Sequence, residues 1–430
     1  MEKISRKNLF FIGLTLFSMF FGAGNLIFPP YLGEQAGNQA WIAQIGFLIS
    51  AVGLPILGVI AVAKSQGLEN LAGRVHPIFA KVFTLLIYLS IGPCLAIPRT
   101  ASTSFEMAVV PFLGHELLNY KFVIQILYSI VFFGIALFIA FHPEKLTDRL
   151  GKILCPLLLG LILIIFVRSL FVGHYAYSEG VSHYQDQALI KGFLDGYLTM
   201  DTIAALNFGI IISLNIRNMG IKDNKVVVRS TVKAGIIAGA CLTLVYCMLL
   251  HIGGLSGYYT GYHENGTQTL ISIVSFLFQN TGVIILGTIF FIACLNTCIG
   301  LICCCSEYFS EIIPSISYRK WALIFAGVSM IISNIGLNLI LEISVPILSM
   351  LYPISIVLIF LAFCHKYISR FTYIYPITIF FTFIGAILDV LPSLGIHIHV
   401  LELIPFYNLS LGWISFAFIG IIVSLFIKNK

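Results

Sequence analysis

Two stretches put polar and helix-weakening residues where an apolar run would otherwise continue. "FSMFFGAGNLIFPP" (residues 17–30) sets Gly22, Ala23, Gly24 and Asn25 ahead of Pro29 and Pro30. "DGYLTMDTIAALNFG" (residues 195–209) crowds Gly196, Thr199, Asp201, Thr202 and Asn207 together. A helix broken inside such a segment leaves carbonyls free at the end of its first half and N–H groups free at the start of its second. The carbonyls attract cations, and the N–H groups, at the positive end of the helix dipole, attract anions. Such a break is a receptor for a molecule carrying both charges. The competing reading of Gly22-Ala23-Gly24 is close helix packing through small residues. Asn25 near mid-depth and the proline pair beyond it weigh toward a break that lines a cavity.

The elements that must hold these residues are membrane spans. The chain has 430 residues, 59% hydrophobic and 10% charged, with mean hydropathy +1.00. No soluble domain covers that much apolar surface, because soluble folds are coated with polar side chains. Hydropathy and turn residues divide the chain into about twelve spans. They fall near 8–32, 40–63, 77–110, 122–141, 148–171, 193–217, 231–252, 283–307, 321–339, 343–364, 373–390 and 406–427. The third is overlong and polar at its far end, which reads as tilt. The expected class is an all-α membrane protein with its first and sixth helices broken.

Basic residues orient the map. Of the 24 Lys and Arg, 20 fall at alternate connections, and the opposite side keeps Lys121, Lys191 and Arg168, with Arg99 inside a span. The positive-inside rule then places both termini in the cytoplasm of a cell-membrane protein. The start has a basic, apolar character but no small-residue cleavage site, so Leu9 onward reads as a retained span. Ten cysteines lie almost wholly in apolar segments, which argues against a disulfide framework, and Cys303–Cys305 read as small packing residues. The stretch from Gly253 to Gly282 reads as a short helical hairpin on the outer face, and His397 and His399 as solvated side chains. Two interrupted spans five apart suggest an inverted repeat: residues 1–190 and 191–365 as the halves, with 366–430 as two appended helices.

"FGAGNLIFPP" (21–30), "IGPCLAIPRTASTSFEMAV" (91–109) and "GYLTMDTIAALNFG" (196–209) together resemble the bacterial branched-chain amino acid:cation symporter family. The likeness covers essentially the whole chain. It implies the five-plus-five inverted repeat of the leucine-transporter fold, a fold used as the general example of broken-helix sites in transporters. It also implies uptake of leucine, isoleucine and valine with sodium or protons as the coupling ion, and no other cofactor. Carried over residue by residue, the N–H groups of Gly22, Ala23 and Gly24 beside Asn25 receive the substrate carboxylate. Carbonyls of Met19, Phe20 and Phe21, with those around Thr199 and Thr202, take the ammonium, and Asp201 either strengthens that contact or pairs with Arg99. "FFIACLNTCIGL" (290–301) is similar to the stretch that supplies oxygen ligands to sodium, so Ala293, Asn296 and Thr297 would join carbonyls near Ser18 and Phe21. The family pattern has Thr where Asn296 stands, and an amide oxygen can serve there. Ile97, Ile203 and Leu206 are candidates for the aliphatic pocket.

Arg99 and Glu106 are seven residues apart, so on a helix they share a face about 10 Å apart along the axis. A gating or structural ion pair between them is favoured over direct substrate contact, since charge inside a span meets a partner or water. An ion channel would show repeated filter loops or charge rings, and neither occurs. A membrane enzyme would need convergent acids, bases or ligands, for which His142 and Asp148 are too sparse. No phosphate-cradling glycine motif points to an ATP-driven pump, and the basic residues track one membrane face rather than a nucleic-acid patch. The partners expected are a small substrate and the lipid bilayer, with no obligatory protein. The nearer alternative is a carrier of this fold for another amino acid or amine.

Overall fold

The computed structural model describes residues 4–173, 176–181, 183–396 and 398–427, so His397 and the extreme termini lie outside the described residues. Among those residues the chain is helical, with no strand. Among the described residues eight helices are long and apolar enough to cross a membrane, or nine if a bent pair counts as one span. Twelve full-length spans are not distinguished on that basis. The first helix, Arg6–Phe20, and the last, Gly412–Phe426, have 15 residues each. At about 1.5 Å per residue, 15 residues reach roughly 22 Å, short of a 30 Å hydrocarbon core.

The first helix stops at Phe21, whose N–H closes on Phe17 O at 2.8 Å. Phe21 (ψ 87°) and Gly22 (φ −116°, ψ −156°) depart from helical geometry, and a second helix runs Ala23–Ala36. Pro29 and Pro30 lie inside that second helix, so the interruption is confined to about two residues rather than prolonged through the prolines. Helix Tyr184–Tyr197 and helix Asp201–Asn218 are likewise bent by 47° across a short break, where Met200 takes φ +68°.

The third expected span is interrupted too. Helix Pro77–Leu89 passes into a π-helical turn, Ser90–Cys94, where Gly92 is non-helical (ψ −126°), and resumes as Ala96–Ala108. Its length in the sequence predicts tilt alone, and the structure adds a break. The cause is "GP" at Gly92-Pro93, since Pro93 cannot donate to the helix ladder. The expected outer hairpin is one helix, Gly266–Phe278, because helix Asn224–Tyr259 runs on to Tyr259.

Close backbone contacts lock these elements together. A Cβ on Gly253 would lie 1.8 Å from Pro30 O, and one on Gly33 would lie 2.2 Å from Leu250 O. Helix Ala23–Ala36 therefore packs on helix Asn224–Tyr259 with little side chain between them, the association mode available where lipid gives no hydrophobic drive. Helix Asn280–Ile312 seats on the first break, its Gly300 against Met19. Cys303, Cys304 and Cys305 are buried in that helix, with Cys305 beside Gly92. Helices Ile374–Val390 and Gly412–Phe426 pack on each other through Gly385 and Gly420.

Candidate functional site

The two breaks and the resumed third helix surround one small cavity, with about 30 Å³ open to the centre of a water molecule. Met19, Phe20, Gly22, Ala23 and Asn25 line it from the first break. Thr199, Met200, Asp201 and Ala204 face it from the second. Ile91, Ala96, Arg99 and Thr100 close it from the third helix, and Thr297 and Leu301 from helix Asn280–Ile312. Each helical contribution follows the three- and four-residue spacing of one helix face: 96, 99 and 100; 201 and 204; 297 and 301.

A buried polar junction ties the breaks together. Asn25 Nδ2 donates to Asp201 Oδ2 at 2.5 Å and also donates to the Tyr246 hydroxyl, which in turn donates to Asp201 Oδ2 at 3.1 Å. Asn25 Oδ1 accepts from Gly22 N–H at 3.0 Å. Gly22 is therefore already capped, while Ala23 and Gly24 begin the second helix with N–H groups that have no acceptor one turn back. At the second break, Thr199 Oγ1 donates to Gly196 O at 2.9 Å and accepts from Asp201 N–H at 3.4 Å.

Several expected site residues turn their side chains elsewhere, which leaves the carbonyl roles expected of Phe21 and Thr202 untouched. Thr202 donates to Ser50 O at 3.3 Å, an oxygen belonging to the π-helical turn Ile49–Gly53, and Ile203 is buried without lining the cavity. One residue along a helix turns the side chain by about 100°, so 202 and 203 cannot share the face of 201 and 204. Phe21 stacks on Phe17 with ring centroids 5.1 Å apart. Gly24 opens on an adjoining vestibule instead. Ile97 and Leu206 are core residues, and the apolar lining includes Ile91, Ala96, Ala204 and Leu301 beside Met19, Phe20 and Met200.

Three of the five expected cation residues share one property. The oxygens Ser18 Oγ, Asn296 Oδ1 and Thr297 Oγ1 are all buried with no hydrogen-bond partner among the described residues. Thr297 Oγ1 would lie 2.8 Å from a Cβ on Gly22, so it touches the first break. Unpaired buried oxygens cost free energy, and a hard cation is the partner that satisfies several acceptors at once. Ala293 is buried and brings no side-chain oxygen to the set.

Arg99 and Glu106 do not pair. Both reach the vestibule, as their shared face requires, but Glu106 Oε1 meets Lys121 Nζ at 2.8 Å. Lys121 opens the next long helix, Lys121–Ala140, and reaches Glu106 at the mouth while Arg99 lies buried a turn and more deeper. Arg99 Nη1 donates to Leu198 O at 3.2 Å, in the second break, and a Cβ on Gly24 would lie 2.6 Å from Arg99 Nη2. Arg99 thus touches both breaks. Tyr246 is not among the residues that the sequence singles out. Its signal was a hydroxyl midway along an apolar run, "TLVYCMLLH", which interfacial tyrosines also give.

The vestibule has about 810 Å³ open to water centres and shares Ala23 and Arg99 with the cavity below. Its walls include Ile27, Phe28, Tyr31 and Thr103, with Glu264–Gln268 at its rim.

Comparison with known proteins is consistent along the whole chain. Residues 5–430 match the family described as branched-chain amino acid transport protein. The branched-chain amino acid permease BrnQ of Bacillus subtilis (strain 168) is 40% identical over 426 residues, covering 97% of this chain and 96% of the permease. Among solved structures, a Na+-coupled sialic acid symporter aligns with TM-score 0.63 at 15% identity, covering 98% of this chain and 91% of its own. Mhp1, a nucleobase-cation-symport-1 family transporter, aligns with TM-score 0.62 at 12% identity, covering 97% and 91%. These structural likenesses show a shared transporter fold of the leucine-transporter type. On its sequence match, the chain belongs to the branched-chain amino acid transport protein family, whose members are membrane permeases and not enzymes.

Proposed function

We propose that this protein takes up leucine, isoleucine and valine by sodium-coupled symport, with alternating access to the cavity between the two helix breaks. The observation that carries the coupling ion is three buried oxygens without a hydrogen-bond partner among the described residues, Ser18 Oγ, Asn296 Oδ1 and Thr297 Oγ1, the last of them beside Gly22 at the first break. The residues present suit a hard monovalent cation: their oxygens are neutral, so the ion's charge is met by dipoles. The ammonium of the substrate goes to carbonyls of Met19 and Phe20 with Asp201 opposite, and its aliphatic chain to Ile91, Ala96, Ala204 and Leu301. Residues 1–190 and 191–365 act as inverted halves, 366–430 as an appended pair, and both termini face the cytoplasm. Rocking of one half against the other exposes the cavity to each side in turn.

Leucine uptake into proteoliposomes, with sodium and pH gradients imposed separately, tests this. A sodium gradient at constant pH is expected to drive accumulation of all three substrates. Equal uptake with and without that gradient would remove sodium from the mechanism.

A further inference from the structure

We infer that Arg99 is the counter-ion for the substrate carboxylate, and that it selects amino acids over amines as they pass from vestibule to cavity. This rests on the proposed transport of branched-chain amino acids and adds the residue that reads their charged end.

Arg99 is 8% exposed, within helix Ala96–Ala108, whose other buried polar side chains, Thr100, Ser102, Thr103 and Ser104, are uncharged. A guanidinium offers five N–H donors in a planar fork, yet its side-chain acceptor among the described residues is one neutral carbonyl, Leu198 O. No ion pair among the described residues includes it. Asp201 lines the same cavity, but its Oδ2 is committed to Asn25 and Tyr246. Arg99 and Asp201 therefore line one cavity, a guanidinium and a carboxyl group that do not join. That separation is complementary to a zwitterion lying between them: carboxylate toward Arg99, ammonium toward Asp201.

The second half-helix supports the same polarity. Arg99 Nη2 stands beside Gly24, whose N–H and that of Ala23 open the first turn of helix Ala23–Ala36. A carboxylate held bidentately by the guanidinium would also face this positive helix end. Arg99 borders both the vestibule and the cavity, so an entering molecule meets it before reaching Asp201 or Thr297.

The test compares leucine with leucinamide and 3-methylbutylamine, which keep the side chain and the amine but lack the carboxylate. Binding to the purified full chain is measured by thermal shift and by competition in proteoliposomes, for wild type, Arg99→Gln and Arg99→Lys. Wild type is expected to prefer leucine to both analogues. Arg99→Gln should lose about tenfold or more in leucine affinity, with the analogues bound as before or more tightly, because a repelling cation is gone. Arg99→Lys should fall between, keeping charge without the fork. A purely structural role would weaken all three ligands alike, and that result, or unchanged leucine preference in Arg99→Gln, overturns the inference. If Arg99→Gln fails to fold, Gly24→Ala serves: its Cβ would displace Nη2, and the same shift in leucine-to-leucinamide preference is expected, its absence counting against the inference. A wild type that transports no branched-chain amino acid overturns the transport reading, and this inference with it.

Discussion

Asn25 Nδ2 lies 2.5 Å from Asp201 Oδ2, a hydrogen bond across 176 residues that fastens the first helix break to the second. Both side chains are within 2% of full burial, and Asn25 also caps Gly22 through its other amide atom. One amide thus fixes the geometry of two discontinuities. Asn25→Ala would strip the Gly22 N–H of its acceptor and leave Asp201 with Tyr246 alone. Leaving buried groups unpaired costs about 1–3 kcal/mol each, so a lower melting temperature in detergent and at least a tenfold loss of leucine uptake are expected. Tyr246→Phe keeps the Asn25–Asp201 bond and should be the milder change in both assays. The reverse order would mean that the tyrosine, not the asparagine, sets the junction.

The oxygens near the first break make a separate forecast. Thr297→Ala removes one candidate ligand and should raise the sodium concentration for half-maximal uptake, leaving folded yield intact, since Thr297 Oγ1 has no protein partner to lose. Thr297→Ser should restore the wild-type value. Unchanged sodium dependence in the alanine variant would move the ion elsewhere.

At the vestibule mouth the expected effect is small. The Glu106 and Lys121 side chains are 27% and 39% exposed, and solvent-exposed pairs contribute only about 0–1 kcal/mol, less as salt rises. Glu106→Gln should change leucine uptake less than about twofold at physiological salt. A tenfold loss would restore the gating role that the sequence suggested for this residue.

Sequence carried the breaks and the family because their signals are local. Glycine, asparagine and aspartate inside apolar runs are costly unless they line a cavity, and Gly22, Asn25 and Asp201 do line one. What it could not carry was choice among neighbours. Seven-residue spacing put Arg99 and Glu106 on one face correctly, yet the partner of Glu106 comes from another helix, and periodicity is blind to that. Thr202 and Asp201 look equivalent in sequence but point about 100° apart, one to Ser50 and one to Asn25. The aliphatic lining was the least legible part, because Ile97, Ile203 and Leu206 differ from Ile91, Ala204 and Leu301 only in which way the helix turns them.

The helix that carries the first break is held by backbone contact, and this makes Gly253 sensitive. A Cβ there would sit 1.8 Å from Pro30 O and 2.6 Å from Pro30 Cα, atoms that no rotamer change can move. Gly253→Ala must therefore push helix Ala23–Ala36 off helix Asn224–Tyr259. Asn25 rides on the first of these helices and Tyr246 on the second, so the displacement also pulls at the junction with Asp201. Two outcomes are expected together: a marked fall in folded yield, and loss of leucine uptake by whatever folds. Gly134→Ala is the matched control, since a Cβ there meets nothing within 4 Å on helix Lys121–Ala140. Helix propensity alone favours alanine by roughly 0.5–1 kcal/mol at such a site, so that variant should melt no lower than wild type and transport normally. Wild-type uptake in Gly253→Ala would mean that the two helices are not held at this distance in the working protein.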